Sequence, residues 1–403
     1  MEIRPILSAL LRHKTAALLI VLEIALSCAI VCNAVFIIGS RVEHMQRDSG
    51  IVESELVDIQ VSSLMPDADR EALRRMDVAA LSAIPGVKSV SSVNQIPYGG
   101  NVWVTSVSLA PEQPEPTANP SQYMDDGNLL PTLGLRVVEG RAFKAEEYRD
   151  DSEAQKSGGK EPVMLVSRSL ARRLFPDGSA VGKDVYMSDT SPTRIVGVID
   201  DLVAPGGAVN PVQDYSVVIL PTRVANGEYV LRTDPAQRAD VLDAAVEALN
   251  RVDANRLIGD RNTLTDMRHA FYSRDRAVVW LLLAVCVALL AVTALGIVGL
   301  ASFWVQQRTK QIGIRRALGA TRGQILRYFQ TENFLIATVG IVLGMLLAYA
   351  INQMLMSKYE LPRLPRYYLP VGAVLLWALG QVAVLGPARR AARVPPAIAT
   401  RSA

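Results

Sequence analysis

Residues 277–305 read AVVWLLLAVCVALLAVTALGIVGLASFWV, 29 positions without a charged side chain. An α-helix needs about 20 apolar residues to cross the hydrocarbon core of a bilayer. In lipid every backbone N–H and C=O must be paired within the protein, and a helix pairs them within one segment. This stretch therefore predicts a transmembrane helix, and the chain is predicted to be a membrane protein.

Three further apolar stretches have a similar length: residues 16–39, 334–355 and 367–388. The first contains two strongly polar residues, Glu23 and Asn33. It is too long for the apolar part of a signal peptide, and no small-residue cleavage site follows it. We therefore expect a retained anchor and four transmembrane helices in all.

The composition agrees with apolar spans joined to a polar domain. Of the 403 residues, half are hydrophobic and the mean hydropathy is +0.22, yet 20% are charged. The net charge of +3 does not favour nucleic acid as a partner. Three His and three Cys are few for a metal site, and residues 40–275 contain no Cys for a disulfide framework.

The Lys and Arg residues predict the orientation. They are in excess in the short segments 1–15, 306–330 and 389–403, which are therefore expected in the cytoplasm together with both termini. Residues 40–276 and the loop 356–366 are then expected outside.

The outer segment is predicted to be a mixed α+β domain. A strand–helix–strand order occurs before residue 110 and again after residue 214, around a strand-rich insert. Two interpretations stay open at this point: one domain with a long excursion, or two lobes of which one is split around the other.

Several local expectations accompany this interpretation. Alternating apolar and polar residues predict a strand at 55–63, and further strands are expected at 102–109 and 216–220. A short helix capped by Ser167 is expected at 167–174, and a charged surface loop at 150–161. Residues 264–276 are expected to form a helical stalk that continues into the span 277–305. Such a helix would carry displacement as a rigid rod.

The sequence offers no convincing catalytic or nucleotide site. Residues 178–183 (GSAVGK) resemble a phosphate-binding loop, but one residue is missing between the glycines and Asp184 follows the lysine. The pairs Asp125–Asp126 and Asp200–Asp201 are typical of solvated turns. We therefore expect a non-catalytic chain without a cofactor of its own.

Four residues within the spans are candidates for contact between helices or with a second subunit. Glu23 and Asn33 are polar residues in lipid, which are usually buried against protein. Gly340 and Gly344 form a GxxxG motif, which permits close helix packing.

The most informative segment is 308–332, RTKQIGIRRALGATRGQILRYFQTE. It is basic, and apolar residues are placed among its charges. Composition leaves two interpretations open: an amphipathic helix on the membrane surface, or a docking element for a cytoplasmic partner.

This segment resembles the C-terminal signature of the MacB/FtsX-like permeases of ABC transporters. Residues 133–143 (LGLRVVEGRAF) and 163–200 resemble the external domain of the same family. The signature ends at Glu332, and its other matching residues are the expected ATPase-coupling set: Arg308, Ile312, Gly313, Ile314, Arg315, Arg316, Ala317, Leu318, Gly319 and Ala320. Gln307 and Gln311 stand where the family usually has Glu.

The resemblance implies a permease that passes no substrate through its own helices. Two permease chains, identical or paralogous, pair in the membrane and bind a dimer of cytoplasmic ABC ATPases, which hold the ATP and Mg²⁺. The movement of the ATPases then reaches the external lobes. The ATPase domain that is fused to MacB is not in this sequence, so a separate ATPase is expected.

The resemblance also implies a division of the external domain. Residues 50–122 and 214–263 correspond to the lobe called porter, 123–213 to the lobe called sabre, and 264–276 to the stalk. Efflux with a periplasmic adaptor and an outer-membrane channel is the expected role. Regulation of a cell-wall enzyme and extraction of lipoproteins are the alternatives.

Overall fold

The structure, a computed structural model, describes residues 14–64, 69–156, 160–187, 191–205, 215–359 and 368–393. Much of the expected segments 1–15, 356–366 and 389–403 lies outside the described residues. The chain divides into a helical unit, Met1–Gln46 with Arg274–Ala403, and an α/β unit, Arg47–Ser273.

The helices of the described residues are, in chain order, α1 (Lys14–Gln46), α2 (Arg70–Ser82), α3 (Leu129–Leu133), α4 (Asp151–Lys156), α5 (Arg168–Leu174), α6 (Arg238–Val252), α7 (Leu264–Phe271), α8 (Ser273–Gln307), α9 (Thr309–Ala317), α10 (Arg322–Tyr359) and α11 (Tyr368–Ala392).

The strands are β1 (Leu56–Ser63), β2 (Val87–Ser92), β3 (Val107–Ser108), β4 (Ser121–Met124), β5 (Val137–Gly140), β6 (Arg149–Asp150), β7 (Val163–Ser167), β8 (Asp184–Met187), β9 (Pro192–Ile199), β10 (Val217–Leu220), β11 (Thr222–Arg223), β12 (Glu228–Thr233) and β13 (Arg256–Thr263).

In the part of the helical unit that the structure describes, four helices are long and apolar enough to cross a membrane: α1, α8, α10 and α11. This confirms the four predicted spans. Helices α1 and α10 approach closely because small residues meet between them. A Cβ atom on Gly344 would lie 2.5 Å from the Cβ of Cys28, and one on Gly340 would lie 2.8 Å from Ile24. Buried residues of all four helices form one apolar core.

The first sheet of the α/β unit has the order β13-β1-β12-β2, and its neighbouring strands are antiparallel. Alternate residues of β1, among them Val57 and Ile59, pack against Leu81 of α2 and Leu249 of α6. The side chain of Asp69 caps α2 by accepting a hydrogen bond from the N–H of Ala72. The sheet therefore has a face covered by helices.

The second sheet has the order β3-β8-β9-β7-β10-β4, and β5 pairs with β9. Strand β7 lies parallel to β9, and the connection between them contains α5, which Ser167 caps as the sequence predicts. Leu56 and Val230 of the first sheet share a buried cluster with Leu165 and Ile219 of the second. The two sheets thus have a common core.

Strand pairing shifts the boundary that the sequence suggested between the lobes. Residues 214–263 were assigned to the first lobe, but β10 pairs with β4 and β7 in the second sheet. All four residues of β10 are buried, as in a strand covered on both faces. Pairing across the sheet outweighs nearness in sequence to the first lobe.

Two local expectations were also wrong. Of the strand expected at 102–109, only Val107–Ser108 and an isolated bridge at Val104 form. The charged segment 150–161, expected to be a loop, contains α4, which has Asp151 and Glu153 in its first turn and Lys156 in its last. These charges suit the helix dipole.

The expected continuous stalk helix is interrupted. Helix α7 ends at Phe271, Tyr272 has φ −85° and ψ 9°, and α8 begins at Ser273. The ring of Tyr272 is 1% exposed, so its burial accompanies the break. Residues 264–276 therefore belong to two helices, α7 and α8, and not to one continuous helix.

Candidate coupling site

The candidate site is the turn of chain between α8 and α10. Arg308 interrupts the helix, with φ −103° and ψ 10°, and α9 follows. Helix α9 ends in a left-handed turn: Gly319 has φ +94°, and the N–H of Ala320 donates to the carbonyl of Arg315. This φ explains why Gly occupies position 319.

The start of α10 is fixed by a reciprocal cap. The N–H of Gln324 donates to Oγ1 of Thr321 at 3.3 Å, and the N–H of Thr321 donates to Oε1 of Gln324 at 2.9 Å. This is the capping-box arrangement, with Gln in the place of Glu. The site is therefore a short helix held between two defined helix ends.

The candidate residues are divided between the two faces of α9. Ile312 and Gly313 are buried, and Ile312 belongs to the core of the helical unit. Ile314 is 46% exposed and Leu318 is 82% exposed. All three belong to the expected coupling set, but only Ile314 and Leu318 lie at the surface.

The remaining small residues of the set lie toward the turn: Ala317 and Gly319 are exposed and Ala320 is half-buried. Gln307 and Gln311 are exposed as well.

The two adjacent arginines have separate environments. The guanidinium of Arg315 lies over the ring of Tyr328 in α10, 5.1 Å from its centroid, and the residue is exposed. Nη1 of Arg316 donates to the carbonyl of Ala392 at the end of α11. A cation at a helix C-terminus is favourable because of the helix dipole. Arg315 is therefore available to a partner, whereas Arg316 binds within the chain.

Arg308 forms a buried ion pair with Glu332 of α10. Its Nη1 lies 2.9 Å from Oε1 and 3.0 Å from Oε2, and the two side chains are 12% and 2% exposed. The guanidinium also lies over the ring of Trp304 at 5.7 Å. The pair fixes the end of α8 to α10. The signature indicated both residues, but their pairing was not foreseen.

A small cavity beside this pair is lined by all four long helices. Its volume is about 20 Å³, and its lining includes Ile20, Trp304, Glu332, Asn333 and Val384. Nε1 of Trp304 and Nδ2 of Asn333 are buried donors that have no hydrogen-bond partner among the described residues. The space suits one water molecule, which would need two or more polar partners.

The four candidate residues of the spans make contacts within this chain. A Cβ atom on Gly296 of α8 would lie 2.6 Å from Oε2 of Glu23. Nδ2 of Asn33 donates to the carbonyls of Ala29 and Ala348. Gly340 and Gly344 lie against α1, as described above. All four therefore take part in helix packing inside the helical unit, and a role of any of them in contact with a second subunit stays a prediction.

The acidic pairs of the α/β unit are structural. Asp125 is buried, unlike the solvated turn residue expected, and burial raises the pKa of its carboxyl. Its Oδ1 accepts from the N–H groups of Gly127 and Leu129, and Tyr148 donates to its Oδ2. Among the described residues no group of three His, Cys, Asp or Glu side chains could hold a metal ion.

Comparison with protein families gives two matches that together span most of the chain. Residues 18–249 match the MacB-like periplasmic core domain. Residues 283–396 match the FtsX-like permease C-terminal domain, which includes the whole candidate site.

Individual relatives are similar over most of the chain. An ABC transporter permease, YknZ of Bacillus subtilis, is 25% identical over 99% of this chain and 98% of its own length. The pyoverdine export ATP-binding/permease protein PvdT of Pseudomonas aeruginosa is 25% identical, over 97% of this chain and 57% of its own. The macrolide export ATP-binding/permease protein MacB of Chromobacterium violaceum is 28% identical, over 65% and 40%.

The chain thus spans nearly all of the first relative and about half of the other two. Among solved structures, the extracellular domain of a YknZ transporter from Gram-positive bacteria matches with a TM-score of 0.33. The identity is 17%, over 50% of this chain and 100% of that one.

Proposed function

Because the chain belongs to the family of FtsX-like permeases with a MacB-like periplasmic core domain, we propose that it is the permease subunit of an ABC transporter driven by a separate ATPase. The ATPase dimer holds ATP and Mg²⁺ in the cytoplasm. Its movement enters the permease at the candidate coupling site and passes along the helices to the α/β unit. Both termini lie in the cytoplasm, and the membrane is the inner membrane of a bacterium.

The observation that carries this proposal is the exposed face of α9. Ile314 and Leu318 are one helical turn apart and both are exposed, with the exposed Arg315 beside them. An exposed isoleucine and leucine with an adjacent cation are suited to a protein partner. The buried Arg308–Glu332 pair and the two helix caps support transmission, because they connect α9 firmly to α8 and α10.

Export is the role that we propose for the complex. The named relatives include exporters of macrolides and of pyoverdine, and the α/β unit is the part that would meet a periplasmic adaptor and an outer-membrane channel. A second permease chain, identical or a paralogue, completes the membrane part.

The test is co-purification of the full chain with the ABC ATPase of a neighbouring gene. Leu318→Glu is expected to reduce the recovered ATPase about tenfold, because a charge replaces an apolar contact. Leu257→Glu is the matched control, since Leu257 is an exposed leucine of the α/β unit and is 59% exposed. Equal recovery with both variants, or no ATPase with the wild-type chain, would contradict the proposal.

A further inference from the structure

The α/β unit is joined to the helical unit at two points, where the chain enters and where it leaves. The unit begins at Arg47 and ends at Ser273. A cluster of five side chains, called here the junction cluster, lies at these points: Arg47, Glu53, Tyr98, Arg268 and Tyr272.

Hydrogen bonds connect the entering segment to the leaving one directly. Oε1 of Glu53 accepts from Nη1 of Arg268 at 2.7 Å, and Nη2 of Arg268 donates to the carbonyl of Arg47 at 2.7 Å. Nε of Arg47 donates to the hydroxyl of Tyr272 at 2.9 Å. One arginine thus bridges two positions of the entering segment with its planar, forked donors.

A third segment contributes Tyr98. Its hydroxyl donates to the same Oε1 of Glu53 at 2.8 Å, and the guanidinium of Arg268 lies 5.7 Å from its ring centroid. The ring of Tyr272 lies 5.9 Å from that of Tyr98. Tyr98 has φ +66°, which residues with a Cβ adopt only when their surroundings hold them there. The cluster is therefore packed as well as hydrogen bonded.

We propose that the junction cluster joins the two connections between the units, so that the entering and leaving segments move together. This proposal rests on the proposed function and gives it a mechanism at the point where the stalk helix is interrupted. With a break at Tyr272, α8 cannot turn α7 as a rigid rod. Arg268 is then a positioning residue that carries the movement of one connection to the other.

If the cluster only paired its own polar groups and did not join the two segments, the loss of Arg268 would have a different effect. Removing Arg268 would then loosen residues 264–272, its own helix, and leave residues 47–55 unchanged. A cluster that joins the two segments loosens both at once.

Hydrogen exchange of the full chain in detergent distinguishes these cases. Arg268→Ala is expected to increase amide exchange about tenfold in both segments, 47–55 and 264–272. Arg251→Ala, at an exposed arginine of α6, is the control and should change neither. An increase confined to 264–272, or none, would overturn the proposal. If Arg268→Ala does not fold, Tyr98→Phe replaces it in this test, because it removes one hydroxyl and keeps the ring. The same increase in both segments is then expected, with a smaller amplitude.

A functional measurement completes the test. In cells that carry the ATPase and its neighbouring genes, Arg268→Ala should keep ATPase binding and reduce the export of a macrolide about tenfold. Export by the variant equal to that by the wild-type chain would contradict the proposal. If the wild-type chain binds no ATPase, the proposed function fails, while the exchange measurement still decides whether the two segments are joined.

Discussion

Helices α1 and α8 are both long apolar spans, but they are held in different ways. Half of the most apolar stretch of α1 is buried, whereas only 17% of the corresponding stretch of α8 is buried. Gly340 and Gly344 have no side chain, so the backbones of α1 and α10 come close together there. Helix α8 is instead attached by polar side chains along its length: Asp275 pairs with Arg41, Thr293 shares a hydrogen bond with Ser27, and Arg308 pairs with Glu332.

The difference shows that the hydropathy of a helix does not determine how closely it packs against its neighbours. Hydropathy predicts that both helices cross a membrane, and α8 is the more apolar of the two. Lipid is as apolar as leucine, so helix association depends on close packing and on polar contacts. Helix α8 runs in the chain from the α/β unit to the candidate coupling site, and a helix with few close contacts can move more freely.

The largest effect is expected at the end of α8. Arg308→Ala removes the guanidinium that pairs with the buried carboxylate of Glu332, and we expect a loss of about 3 kcal/mol of unfolding free energy. Denaturation in mixed micelles measures it. Arg327→Ala, at an exposed arginine of α10, is the control. Equal losses for the two variants would show that the ion pair does not hold α8.

A smaller effect is expected between α1 and α10. Gly344→Leu places a side chain where Cys28 already stands, and we expect a loss of about 2 kcal/mol from overpacking. Gly299→Leu in α8 is the matched control, because a Cβ atom there meets nothing within 4 Å. The same micelle assay applies. If Gly299→Leu were as harmful, α8 would be as closely packed as α1.

The smallest effect concerns the hydrogen bond between α1 and α8. The hydroxyls of Ser27 and Thr293 are buried and 2.8 Å apart. Hydrogen bonds between membrane helices contribute about 0.6 kcal/mol on average. A double-mutant cycle of Ser27→Ala and Thr293→Val should therefore give a coupling energy near that value. A coupling of zero would remove this contact from the comparison.

Sequence predicted the spans and the mixed character of the α/β unit because these depend on local patterns. The length of each apolar stretch decides the spans, and alternation decides strands such as β1. The capped helix at Ser167 was also predicted, since the cap and the apolar run are adjacent. Strand β10 was placed in the wrong lobe because its partners, β4 and β7, lie far away in sequence.

For the candidate site, sequence indicated the segment but not which side chains reach the surface. Ile312 and Ile314 are two residues apart, so a helix places them on different faces. Arg315 and Arg316 are adjacent, yet one lies on Tyr328 and the other caps α11. The break at Tyr272 was missed because no Gly or Pro marks it, and the contacts of its buried ring are with residues distant in sequence, such as Tyr98.

Helix α10 has a length that its apolar stretch does not explain. Its 38 residues extend about 57 Å at 1.5 Å per residue, whereas the hydrocarbon core is about 30 Å thick. It therefore projects out of the hydrocarbon by several turns, and its first turns contain Arg322 and Arg327. A helix of this length amplifies a small tilt. If it tilts by about 10° about one end, the other end moves by about 10 Å, because the displacement is the helix length multiplied by the sine of the tilt.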